Sequence, residues 1–170
     1  MNIRKVSTIG ICALLVAGCL SACGASTNNT SGTLVGEELT QEEANTIGTK
    51  LYAQFVTEVA NSQDTDVIAE KLSQNAMFEE LAMGFMPVEE GNLNGFEGEV
   101  KGFSKGTMFS PMIGTIPFVG YVFETDDADA LVATLKEKAM LNWNICTVAD
   151  EMVVKSNGNL VFFVMAPEAF

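Results

Sequence analysis

The chain has 170 residues and no histidine, so the commonest general base and metal ligand is missing from its chemistry. Any reaction would have to rest on cysteine, carboxylate or thioether groups. Of the four cysteines, Cys146 is a candidate nucleophile, but Ile145, Thr147 and Val148 offer it no base and predict burial. The carboxylates Glu79, Glu80, Glu89, Glu90, Glu97 and Glu99 could furnish the acid and nucleophile of a glycoside hydrolase. Only Trp143, Tyr52 and Tyr121 are available to stack on a sugar, and the glutamate pairs read as solvated loop charges. Asp126, Asp127 and Asp129 resemble the opening of a calcium loop, which needs oxygen ligands at positions 1, 3, 5 and 12 and glycine at 6. Counting from Asp127 gives Leu131 at the fifth position, Val132 at the sixth and Lys138 at the twelfth, so these aspartates are expected to cap a helix. Met77, Met83, Met86, Met108 and Met112 could bind Cu(I) through sulfur. They are interleaved with Phe78, Leu81, Phe85 and Phe109, which is the pattern of an adaptable hydrophobic cluster. Met83, Phe85, Met86, Phe109 and Met112 adjoin a glycine-rich stretch and are expected to form a binding surface. Gly98, Gly102 and Gly106 form no phosphate-binding motif, and neither a metal nor a cofactor is expected.

The one cysteine with a strong context is Cys23. Met1 to Lys5 is basic, Val6 to Ala17 is apolar but too short to span a bilayer, and Gly18 to Ala22 is rich in small residues. Leu20, Ser21, Ala22 and Cys23 resemble the lipobox of bacterial lipoproteins. That resemblance implies a diacylglyceryl thioether on Cys23 and cleavage between Ala22 and Cys23. Residues 1–22 would then be a cleaved signal peptide, and the protein would sit on the extracytoplasmic face of the cell membrane. Two acyl chains anchor stably where one does not.

Loss of the leader removes Arg4 and Lys5, leaving 7 basic residues against 22 acidic ones, a net charge of −15. Phosphate backbones repel such a domain, which excludes nucleic acid as a partner. Cys12 and Cys19 also leave with the leader, so Cys146 is the one thiol left free and no internal disulfide can form.

Residues 23–36 are small, polar and uncharged after the cysteine, and are expected to be a flexible tether. Residues 37–170 suit a single domain. Thr40 to Glu43 reads as a capping box for a helix over about 40–60, with Ile47, Leu51, Phe55 and Val59 on its inner face. A second helix is expected at about 65–74, and a helical turn over 77–84. The 85–117 segment carries many glycines and prolines, and only 97–103 reads as an edge strand. Phe118 to Thr125 reads as a strand, and the next helix buries Ala130, Leu131, Leu135 and Ala139. Glu151 to Lys155 and Leu160 to Met165 are two strands around Asn157-Gly158, the second apolar on both faces and therefore central. The pattern predicts an α+β domain with a mainly antiparallel sheet of three to four strands packed against two to three helices.

The lipobox, the polar tether and the order of Tyr121–Thr125 strand, acid-capped helix and terminal hairpin ending in Leu160–Pro167 resemble small lipoproteins of Gram-positive anaerobes grouped as a domain of unknown function. That family has no assigned catalytic residues. The expected function is a non-enzymatic binding module, held to the membrane through Cys23 and taking a protein or small-molecule partner. The alternative is a cell-envelope hydrolase using Asp/Glu carboxylates or Cys146.

Overall fold

A computed structural model describes residues 45–170. The expected leader, Cys23, the expected tether and the capping box expected at Thr40–Glu43 lie outside the described residues. The fold is α+β, built on a five-stranded antiparallel sheet with helices on both faces.

Helix α1 runs Ile47–Val59 and begins later than the sequence predicts. Its N-cap is Thr46, whose hydroxyl accepts from the Thr49 amide while the Thr49 hydroxyl accepts from the Thr46 amide. The reciprocal bonds satisfy two amides that a helix start leaves unpaired. Helix α2, Thr65–Ser73, is capped by Asp64, whose carboxylate accepts from Asp66 and Val67. A short 3-10 turn, Ala76–Phe78, then leads into the sheet. Met83 and Gly84, expected in a helical turn, instead begin a strand.

The strands are β1 (Met83–Val88), β2 (Gly91–Asn92), β3 (Glu99–Val100), β4 (Lys105–Pro111), β5 (Val119–Glu124), β6 (Glu151–Asn157) and β7 (Leu160–Ala166). The main sheet has the order β1-β4-β5-β7-β6, and β2 and β3 form a separate two-stranded ribbon. Helix α3, Ala128–Lys138, connects β5 to β6 and starts at Asp127, whose carboxylate accepts from the Ala130 amide. The expectation of a capping aspartate is met. The last two strands turn at Gly158, which takes φ +62°, a conformation that glycine adopts without a steric penalty.

The main correction concerns 85–117. Two of its segments are full strands, β1 and β4, paired from Met83↔Pro111 to Val88↔Gly106, so the sheet has five strands rather than three or four. The predicted edge strand over 97–103 shrinks to the two residues of β3. Gly106 sits where a side chain has no room: a Cβ there would fall 2.9 Å from Phe103, Phe123 and Val88.

The sheet separates two cores. On one face α1 and α2 bury Leu51, Phe55, Ile68 and Leu72 against Phe109, Val122, Phe162 and Val164. On the other, Leu131 and Leu135 of α3 join Phe96, Val100 and Phe103 over Tyr121, Phe123, Val161 and Phe163. β7 contributes to both, as its unbroken apolar run requires of a strand covered twice. Ala130 is exposed, contrary to its predicted burial, because the inner stripe of α3 is carried by Leu131 and Leu135.

Candidate binding surface

The five residues expected to form a binding surface part company in the fold. Phe109 is fully buried in the core under α2, and Met83 is half-buried against the same core. Both are corrections, and both follow from strand alternation: position 109 faces the helices, and Gly120 opposite it leaves space for its ring. Phe85, Met86 and Met112 are exposed, at 44%, 53% and 76%. Phe85 and Met86 lie on opposite faces of β1, and Met112 approaches Gly84 on the Met86 side. The other methionines of the set pack inward, Met77 on the first core and Met108 on the second.

β1 is an outer strand, and among the described residues it is hydrogen-bonded on one side only. The Met112 amide donates to the Ala82 carbonyl at 2.8 Å. Bonded and non-bonded pairs alternate in an antiparallel ladder, so Gly84, Met86 and Val88 also bond inward to β4. Met83, Phe85 and Pro87 then turn their main-chain groups away from the sheet. Pro87 has no N–H to offer, which is why proline is tolerated at this point of the strand. The open edge therefore carries two outward donors, at Met83 and Phe85, and three outward carbonyls.

Charge is also missing from β1, from β4 after Lys105 and from β5 before Glu124. No Asp, Glu, Lys or Arg occurs over 81–88, 106–123 or 139–149, although the chain has 22 acidic residues. The 111–118 hairpin loop and the 139–149 loop lie side by side. Asn144 Nδ2 donates to the Gly114 carbonyl at 2.8 Å, and the Thr147 hydroxyl to the Thr115 carbonyl at 3.1 Å. A cleft of about 220 Å³ opens between them, lined by Asn94, Ser110, Pro111, Trp143 and Ile145 among others. Sequence reasoning missed the second loop, because 139–149 is distant in sequence and reads as apolar filler. Cys146 lies in it and is exposed, not buried, and its amide donates to the Asn144 side chain.

The acidic groups are arranged structurally. Lys105 at the start of β4 places Nζ 2.9 Å from Asp64 Oδ1 and 3.0 Å from Asp66 Oδ2. The lysine hydrogen bond holds the Asp64 carboxyl below its ordinary range, helped by the Asp66 amide. The same bonds, to Asp64 first and then Asp66, raise the lysine. Thr107 on the same strand donates to the Asp66 carboxylate at 2.5 Å and lies 2.9 Å from the Thr65 hydroxyl. Together these contacts fasten the start of α2 to β4. Among the described residues no group of three or more Cys, Asp and Glu side chains converges as a metal site would require. Tyr121 is buried with its hydroxyl donating to the Asn94 carbonyl at 2.8 Å, and burial pushes its titration well above the usual phenol range.

Comparison with family models, with curated proteins and with solved structures finds no match.

Proposed function

We propose that the chain is a non-enzymatic binding module, anchored by diacylglyceryl-Cys23 to the extracytoplasmic face of a bacterial membrane, and that β1 captures an extended, uncharged polypeptide segment by adding it as a strand. The observation that carries the reading is the open edge of β1. Its outward amides and carbonyls offer a ladder, and exposed Phe85 and Met86 offer apolar contact on the two faces of an added strand. The absence of charge over 81–88 in so acidic a chain favours an uncharged segment. The leader residues Leu20 to Cys23 support the anchor.

A capped ten-residue peptide of alternating valine and threonine serves as probe. Phe85→Asp places a charge on the edge. Phe85→Pro removes an outward donor while leaving every β1–β4 hydrogen bond in place, because the Phe85 amide faces away from β4. Each substitution should weaken the peptide at least about tenfold, roughly 1.4 kcal/mol. Equal affinity for the wild type and both variants contradicts the reading. The anchor is tested separately by fatty-acid labelling: a Cys23→Ser chain should take up no label and leave the membrane fraction.

A further inference from the structure

From the paired loops we infer a second contact: the tip formed by Met112, Ile113 and Ile145 seats on the surface of a lipid bilayer and orients the domain. Ile113 is 65% exposed and Ile145 completely so, beside Met112. Three large aliphatic groups so exposed, on two loops that hydrogen-bond to each other, are unusual on a domain surface. Protein interfaces draw their strength from tryptophan, tyrosine and arginine in pockets, whereas these are exposed aliphatic side chains. Hydrocarbon is the environment they suit. The loops are uncharged, so insertion desolvates no ion, and Asn144 and Thr147 bind the two loops together so that they present one surface.

The course of the chain points the same way. β4 ends and β5 begins at the 111–118 loop, and Val119 pairs with Met165 near the end of β7. Ala166 pairs with Glu151, the first residue of β6. Glu151 in turn accepts from the Gly48 amide at 2.7 Å, at the start of α1. The described chain therefore begins at the end of the sheet that bears the apolar tip. A chain attached to a membrane through residues preceding Asn45 would bring this end to the bilayer first. Tethering multiplies the weak affinity of three side chains by raising their local concentration. The open edge of β1 starts beside this end at Met83 and runs away from it to Val88.

The test uses the single tryptophan, Trp143, which lines the cleft beside Ile145. The chain from residue 23 onward, with Cys23→Ser and a hexahistidine tag at its start, is held on phosphatidylcholine vesicles by a nickel-chelating lipid. The protein has no histidine of its own, so the tag is the sole tether and the outcome does not depend on acylation. Vesicles whose chains are brominated near the headgroup should quench Trp143 emission relative to unbrominated vesicles. Ile113→Asp with Ile145→Asp should abolish that loss, with unchanged circular dichroism and unchanged vesicle occupancy. Val67→Asp, an exposed position near the opposite end of the sheet, should leave the loss intact. Equal emission in brominated and plain vesicles for the wild-type tip overturns the inference, as does quenching that survives the double substitution; a tip built to dock a protein gives the first of these results.

Discussion

The ring of Phe109 on β4 lies directly against the backbone of Gly120 on β5, so that a Cβ on Gly120 would fall 2.2 Å from the ring's Cζ. The pair explains why a phenylalanine in a glycine-rich stretch is buried at the sheet's centre. Gly120→Ala should destabilise the domain by about 1–3 kcal/mol, the usual penalty for overpacking a rigid core. Pairing it with Phe109→Leu should recover part of that loss, since contacting sites are not additive. Thermal unfolding of the two single variants and the double variant measures the coupling.

Lys105 holds α2 to β4 through Asp64 and Asp66, on a partly exposed surface. Lys105→Met should cost about 1 kcal/mol, the upper end for exposed ion pairs. The Asp64 carboxyl is lowered from 3.8, so its contribution is present above that pH and is lost as pH falls through the lowered value. Lys105 is raised from 10.5, so its contribution is present below that pH and is lost as pH rises through the raised value. Denaturant titrations across pH should show the wild-type advantage over Lys105→Met as a plateau between these limits.

Tyr121 is the buried polar group whose loss is easiest to read. Tyr121→Phe removes its bond to the Asn94 carbonyl and should cost about 1 kcal/mol. In the wild type the neutral phenol is retained above pH 10.0, its ordinary value, because burial raises it. Its stabilising contribution is complete below pH 10.0 and is lost as pH rises toward the raised value, and the phenylalanine variant should lack this component.

Cys146 should react with a maleimide in the folded protein as fast as in denaturant, because it is exposed. Protection that disappears only on unfolding would contradict its position in the 139–149 loop. Labelling is read by mass on the chain lacking residues 1–22, with Cys23→Ser so that one thiol remains.

The helices and the terminal hairpin were legible because their signals are local: i+4 apolar spacing in α1, Asp127 before α3, and Asn157-Gly158 between two β-rich runs. β1 and β4 were not. Each carries a residue that argues against a strand, Pro87 in one and Gly106 in the other, and each is tolerated for a tertiary reason. Pro87 faces its missing N–H outward from an edge, and Gly106 makes room for Phe103, Phe123 and Val88. The exposure of the apolar cluster was legible in part, since Phe85, Met86 and Met112 are exposed as expected. Which of the five would turn inward depended on the pairing of β4 with β5, which no local pattern reveals. The exposure of Cys146 was hidden for a similar reason: Ile145 and Val148 look like core residues in sequence and stand in solvent in the fold.

Amide exchange along β1 tests the central claim most directly. In the free protein the Gly84, Met86 and Val88 amides, bonded to β4, should exchange slowly, and those of Met83 and Phe85 should exchange at rates close to unprotected backbone. Adding the valine–threonine peptide should slow Met83 and Phe85 and leave the other three unchanged. Met83 and Phe85 amides that keep their fast exchange under saturating peptide would contradict capture by strand addition.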